Sequence, residues 1–353
     1  MSVSMERGDE PHSVICVAEK GVALTMKWLI TGGCGFIGRA LVAQLLAEGE
    51  HTVRVLDNLS TGSRTELAEI AAFQDLDADV NPADWSAPLA LLEGDITDQK
   101  AVARGLAGAE VVIHLAANTG VPQSVADPIR DCHANVIGVL NMLEGCRSAG
   151  TRRFVFASSG APLGAQTPPL HEEMAPRPAS PYGASKLSGE GYCSAYYQCF
   201  GVETVTLRFG NVYGEGSGHK SSVVAKFIKE ALAGQPLEIY GDGSQTRDFI
   251  HISDLIDAIL RAAETPAIGG EIFQIATASE TTVLDLADKL REAMRAEGMT
   301  VPEIRHGATR NGDVARNFSD TSKACARLGW STTVSLEDGL RRTVRFFLDT
   351  RLA

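Results

Sequence analysis

A doubly wound parallel α/β sheet, followed by a smaller C-terminal domain, is the architecture this sequence predicts. Three observations lead there. Short apolar runs occur at 28–31, 53–56, 89–93, 111–115 and 154–158, and continuous apolar runs belong to strands covered on both faces. Helical patterns at 36–48, 99–106 and 129–149 separate most of these runs. Such alternation builds a parallel sheet with helices on each side. Beyond about Tyr213 the alternation weakens, with Gly214, Gly216 and Gly218 close together and a helix at the C-terminal end.

Each element has a local reason. The run 28–31 enters a glycine-rich turn, and the amphipathic stretch 36–48 that follows is closed by Gly49. The second strand ends at Asp57 and the third at Gly94-Asp95. Segment 71–88, with Asp75, Asp77, Asp79, Pro82 and Pro88, breaks the rhythm and reads as a surface insertion. At 353 residues the chain exceeds twice the ~150-residue prior for one domain. The division expected is a tail over 1–26, a sheet domain over 27–212 and a second domain over 213–353. Part of 245–275 is expected to return to the first sheet.

Composition excludes several classes. With 32 Lys and Arg against 44 Asp and Glu, the chain lacks the positive surface that nucleic acid or an acidic membrane requires. No apolar run approaches the ~20 residues of a membrane span. The apolar stretch 14–18 is too short and too acidic in its flanks for a secretory signal. Seven cysteines, odd in number and without a CxxC pair, predict neither disulfides nor structural zinc, and point to the cytoplasm. His114, His171, His251 and His306 show no metal-ligand spacing, so no metal is expected.

Gly32, Gly35 and Gly38 sit three apart between the first strand and the first helix, which Phe36 and Ile37 open. Glycine is required where a turn takes positive φ and where backbone must approach a pyrophosphate. The helix N-terminus then offers N–H groups to the phosphates. Asp57 lies 19 residues beyond Gly38, the place of the acid that binds adenosine ribose hydroxyls. A carboxylate there repels a 2′-phosphate, so the expected cofactor is NAD.

Ser180-Pro181 predicts a helix start, and it sets Tyr182 and Lys186, four residues apart, on one face. Ser158 and Ser159 close the preceding strand on the sheet edge where ligands bind. Lowering a phenol from a pKa of ~10 to ~7 takes about 4 kcal/mol. An ammonium ~6 Å away at an effective dielectric of ~20 supplies about 2.8 kcal/mol. A cationic nicotinamide is expected to supply the remainder.

These residues resemble the extended short-chain dehydrogenase/reductase family, in its NAD-dependent nucleotide-sugar epimerase/dehydratase branch, over about 27–345. The pieces are 31–38, Asp57-Asn58, Gly94-Asp95-Ile96, His114 to Ala117, and Asn135-Val136-x-Gly138-x-x-Asn141. They continue with Ser158-Ser159, Tyr182 and Lys186, Arg208 to Gly214, and Arg247 to His251. The resemblance implies a Rossmann sheet with Asp57 and Asn58 on the cofactor, Asp95 and Ile96 flanking its adenine, and Ala116 lining its cleft. Lys186 would hold the nicotinamide ribose, Ser159 the sugar hydroxyl, and Tyr182 would take its proton. Asn211, Arg247 and Arg310 would hold the nucleotide diphosphate and Asp313 the uridine ribose. Tyr240 would sit near the uracil, and Ser124, Val224 and Asn317 complete the implied substrate set.

The resemblance also narrows the reaction. The 4,6-dehydratases carry Asp-Glu where this chain has Gly160 and Ala161, and uronate decarboxylases carry Glu at the position of Ala161. Neither Gly nor Ala does acid–base work, so 4-epimerisation of a UDP-hexose or UDP-N-acetylhexosamine is the expectation. UDP-glucuronate decarboxylation or epimerisation and 4,6-dehydration stay as alternatives. A non-catalytic NAD-binding regulator is the reading from another class. Leu163-Gly164 stands where relatives have Tyr-Gly; Asn211 replaces the Thr of glucuronate epimerases; Asn317 replaces the Tyr of galactose-restricted ones. Relatives dimerise through two helices per subunit. A homodimer is therefore expected through 129–149 and 182–200, with Val136, Val139, Leu140 and Leu143 as the apolar face.

Overall fold

The computed structural model describes residues 26–77, 79–309 and 315–352. The tail expected over 1–26 lies outside them except for Met26. The first seven strands are β1 (Lys27–Thr31), β2 (Thr52–Asp57), β3 (Gln74–Asp75), β4 (Leu89–Glu93), β5 (Val111–His114), β6 (Arg153–Ser159) and β7 (Thr204–Phe209). Short strands follow: β8 (Asn211–Tyr213), β9 (Leu237–Tyr240), β10 (Thr246–Arg247) and β11 (Phe249–His251). The last are β12 (Glu271–Ile275), β13 (Thr281–Thr282) and β14 (Ile304–Gly307). The helices of the first part are α1 (Phe36–Glu48), α2 (Arg64–Ala68), α3 (Gln99–Leu106), α4 (Val121–Ala126), α5 (Pro128–Cys132), α6 (Gly138–Ala149) and α7 (Pro181–Phe200). Those of the second are α8 (Val223–Leu232), α9 (Ile252–Glu264), α10 (Val283–Ala296), α11 (Ser322–Leu328) and α12 (Leu336–Leu352).

The main sheet runs β12-β7-β6-β5-β1-β2-β4-β3, and every pair in it is parallel. From β1 the chain first builds outward through β2 and β4, then crosses back to β5, β6 and β7. The order therefore reverses beside β1, and the crevice between the C-terminal ends of β1 and β5 is the place where such sheets bind ligands. The turn after β1, His114 at the end of β5 and Ser159 at the end of β6 all lie on this edge.

Period-two alternation divides the core. Trp28 and Ile30 face one side with Val53, Val55 and Ile113, and α1 and α9 cover them through Leu41, Val42, Leu255 and Ile259. Leu29, Leu56, Val112, Phe154 and Phe156 face the other, under Val102 and Leu106 of α3, Leu143 of α6 and Cys193 of α7. A third apolar cluster joins Phe227, Ile239, Leu290 and Val344 from α8, β9, α10 and α12. Between these parts the chain returns to the main sheet, where β12 pairs with β7.

Two expectations are adjusted. Segment 71–88 lies on the surface as expected, Leu76 alone being buried among its described residues, but it is anchored to the fold: β3 extends the sheet beside β4, and Trp85 donates its indole N–H to Ala107 O at 2.9 Å. Trp85 also lies 3.9 Å under the guanidinium of Arg54. That buried cation donates to the carbonyls of Arg104, Gly105 and Ala107 at the end of α3, where the helix dipole favours positive charge. The second adjustment concerns the apolar face of 129–149. Val139 and Leu143 are buried inside the subunit, with Leu140 packed beside them. The exposed large apolar residues of these helices are Ile129, Ile137, Tyr192 and Phe200, next to Val121 and Val125 of α4.

Candidate active site

The glycine turn is shaped for close approach. Gly32 has φ +70°, and a Cβ there would lie 2.8 Å from Ala116 N. A Cβ on Gly38 would collide with Gly32 O, so the first turn of α1 rests directly on the loop. Gly35 is the N-cap of α1, without a side-chain cap, and the first turn carries no acid. This end of the helix, with Phe36 and Ile37 in its first turn, therefore offers uncapped N–H groups to an anion. Asp57 is buried at the end of β2; its carboxylate accepts from Cys34 N at 2.9 Å and Leu59 N at 2.8 Å. Burial raises its pKa while these two N–H groups pull it down. Asn58 donates to Asp95 at 2.7 Å, which joins the ends of β2 and β4, and Ile96 is buried beside them. A cradle that only glycine permits, an uncapped helix end and a strand-end carboxylate fit the diphosphate and ribose of NAD.

Across the crevice, α7 begins at Ser180, whose hydroxyl accepts from Gly183 N at 3.1 Å. A Cβ on Gly189 would lie 2.5 Å from the Phe156 ring, so the missing side chain lets α7 lie close on β6. That contact positions Tyr182 and Lys186. Lys186 is buried, donates to Ala157 O at 2.8 Å, and has its ammonium 6.0 Å from the Tyr182 ring centre. Burial lowers the Lys186 pKa to about 8, opposed by the charge of Asp131. Burial raises Tyr182 to about 12, opposed by a hydrogen bond with Ser159. The charge of Asp131 raises it further, and the phenol holds its proton in the ligand-free protein.

Three buried groups lie behind this pair: Asn135 and His114, which belong to the motifs quoted above, and Glu190, which the sequence reading passed over. Glu190, one turn after Lys186, accepts from Ser158 Oγ at 2.6 Å and from Arg208 at 2.9 and 2.7 Å. Asn135, inside a π-helical turn over His133–Ile137, contacts Asp131, the Asn118 backbone and Ser185 Oγ. Such turns often mark functional sites. His114 stacks on Phe154 and Phe156 with Nδ1 2.8 Å from Thr31 Oγ1, and that hydroxyl accepts from Ala116 N at 3.2 Å. Burial drives its pKa to about 3. The i, i+4 step from Lys186 to Glu190 was the signal for Glu190. For the other two, the contacts rather than the residues become visible only once strands and helices are assembled.

The remaining residues expected at a substrate are dispersed over the second part, apart from Ser124 in α4. Asn211 is exposed at the start of β8, and its N–H donates to Asp248 O. Arg247 is part-buried in β10, while Asp248 is buried with its oxygens on Thr277 and Ser319. Tyr240 closes β9 with the Lys226 ammonium 4.5 Å over its ring. Asn317 has its amide beside Gly160, 3.8 Å from where a Cβ would be, so it neighbours the Ser159 turn. Ser124 is fully buried with its hydroxyl on Val121 O, and Val224 is buried in the third apolar cluster. The side chains of these two are committed to packing. Arg310 and Asp313 lie outside the described residues. Among the described residues, no cluster of His, Cys, Asp and Glu could hold a metal ion, and no helix is long and apolar enough to cross a membrane.

Comparison with known proteins gives consistent matches. The model of the NAD dependent epimerase/dehydratase family matches residues 28–276. The UDP-glucose 4-epimerase of Mycolicibacterium smegmatis is 37% identical over 329 residues, 91% of this chain and 98% of its own. A solved UDP-glucose 4-epimerase from Thermotoga maritima, with UDP-glucose, superposes with a TM-score of 0.81 at 35% identity, over 92% of this chain and 100% of that one. A UDP-N-acetylglucosamine 4-epimerase from Methanobrevibacter ruminantium, in complex with UDP-N-acetylmuramic acid, gives 0.82 at 28% identity over 93% and 100%.

Proposed function

This chain belongs to the NAD-dependent epimerase/dehydratase family, and from that premise we propose that it is a UDP-sugar 4-epimerase, acting on a UDP-hexose or a UDP-N-acetylhexosamine. NAD is the cofactor of the family. The observation that carries the reading is the Ser159–Tyr182–Lys186 cluster with only Gly160 and Ala161 on the adjoining turn. It can take the proton of a hydroxyl whose carbon would pass its hydride to NAD+, and the two residues after Ser159 offer no further acid or base for elimination or decarboxylation.

In this reading Ser159 holds the C4 hydroxyl and Tyr182 removes its proton, then returns it after the sugar has turned over. Lys186 holds the nicotinamide ribose and keeps a positive charge near the phenol. NAD+, when bound, supplies the acceptor and later the donor of the C4 hydride. Arg247 and Asn211 hold the nucleotide diphosphate, joined by Arg310, with Asp313 on the uridine ribose and Tyr240 near the uracil. Asn317 beside Gly160 leaves room for a substituent on the sugar, which supports the N-acetylated substrate.

Proton NMR of the protein with NAD+ and UDP-glucose, UDP-N-acetylglucosamine or UDP-glucuronate tests this directly. A galacto-configured anomeric signal from either of the first two, with no net NADH, is the expected result. A 4-keto-6-deoxy product, a pentose product or no change in every tube overturns it.

The finer assembly is a homodimer through α4 to α7. Its support is the number of large apolar side chains exposed on these neighbouring helices, Val121, Val125, Ile129, Ile137, Tyr192 and Phe200, which a partner surface would bury. Sedimentation is expected to give a dimer that Ile129→Glu dissociates; a monomeric wild type at micromolar concentration rejects the assignment. We place the protein in the cytoplasm on its exposed free thiols, Cys132, Cys199 and Cys325; recovery in an oxidising compartment on cell fractionation contradicts that.

A further inference from the structure

A segment remote in sequence from the glycine turn lies across the start of α1. Residues 214–220 leave β8 and pass over Phe36 and Arg39, and Arg39 donates to Gly216 O at 3.2 Å. Glu66 of α2 ties the same segment down: it accepts from Arg39 at 3.0 Å and contacts His219 at 2.8 Å. Lys229 secures the other side, donating to Gly218 O at 3.2 Å and Lys220 O at 2.8 Å. The strap is therefore held at both edges over the uncapped helix end.

Lys220 stands out in this strap. Its ammonium lies 5.2 Å over the ring of Phe36, the first residue of α1. It makes no ion pair or hydrogen bond among the described residues. Of the acids around the strap, Glu66 of α2 already serves Arg39 and His219, and Glu215 within it faces His251. Burial alone lowers the Lys220 pKa. Lys220 is half-buried, and a partly desolvated ammonium over an aromatic face is completed by an anion that a ligand brings. The helix end contributes roughly half a positive charge and Lys220 a whole one, close to the two negative charges of a diphosphate diester.

We infer that Lys220 is the counter-cation of a diphosphate bound at the first turn of α1, under a strap formed by residues 214–220. The inference rests on the dinucleotide reading of that turn. A dinucleotide and a nucleotide sugar both carry the group, and the position over Phe36 favours the dinucleotide.

Full-length wild type, Lys220→Met and Lys220→Arg, freed of copurified nucleotide with charcoal, are titrated calorimetrically with ADP-ribose and with adenosine. UDP is titrated in the presence of saturating NAD+. Lys220→Met is expected to weaken ADP-ribose about tenfold, equivalent to ~1.4 kcal/mol, and to leave adenosine unchanged. Lys220→Arg is expected to stay within about threefold of wild type, since it keeps the charge. Without ligand, Lys220→Met is expected to melt no lower than wild type, because it removes an unpaired cation. A tenfold loss for UDP with ADP-ribose unchanged overturns the assignment, because it moves Lys220 from the first turn of α1 to the nucleotide-sugar side. Unchanged binding of both, equal losses for adenosine and ADP-ribose, or a lower melting temperature overturns the assignment. If wild type binds no ADP-ribose, the dinucleotide reading itself fails, and the assignment with it.

Discussion

Tyr182→Phe is expected to lower kcat about a thousandfold, within the 10²–10⁴ range of a positioned proton-transfer group, while the KM for the UDP-sugar stays within about threefold. The phenol sits between Ser159 and the Lys186 ammonium, and removing its oxygen leaves the packing of α7 on β6 intact. Its burial raises the pKa to about 12 in the ligand-free protein, so the proton is held until bound cofactor adds a second positive charge to that of Lys186. A difference titration of wild type against Tyr182→Phe should therefore show no phenolate from this residue at pH 8 without cofactor. With NAD+ the same phenolate should appear at lower pH. Residual activity above a tenth of wild type would falsify the assignment of Tyr182 as the proton carrier.

The largest expected loss of stability comes from Arg208→Met. Arg208 and Glu190 are buried and paired at 2.7 Å, and Glu190 also takes the hydroxyl of Ser158. Removing the guanidinium leaves a carboxylate buried without its cation. Breaking such a pair costs about 3–5 kcal/mol, and in a chain of this size the melting temperature should fall on the order of 5–10 °C. The double variant Glu190→Met with Arg208→Met is expected to recover most of that loss, because no charge is then stranded. Thermal denaturation of the two variants side by side decides it; a double variant no more stable than the single one means that shape, not charge, dominates.

The parts of the fold legible in the sequence were those with local causes. Ser180-Pro181 caps α7, Gly49 ends α1, and the glycine spacing answers to backbone clashes within one turn. The surface position of 71–88 was legible, but its aspartates and prolines say nothing of Trp85, whose anchoring role depends on Arg54, thirty-one residues earlier on β2. The helix face at 129–149 misled for a geometric reason. The π-helical turn at His133–Ile137 adds a residue to the winding and shifts the phase by about 100°. Apolar residues before and after it cannot be placed on one wheel. At the site, Tyr182, Lys186 and Ser159 were legible from spacing, whereas Lys220 was not. Its meaning lies in a neighbour, Phe36, that only the folded chain provides.

The parallel pairing of β12 with β7 has a consequence for how the chain is made. Until Glu271–Ile275 leaves the ribosome, β7 is a bare sheet edge, able to recruit any passing strand. Synthesis from residue 209 to residue 275 takes roughly 3–13 s at ~5–20 residues per second. For that interval the newborn protein depends on chaperones, or on the growing polypeptide itself, to shield the edge. A gene cut at the apparent domain boundary near 212 would make that vulnerability permanent.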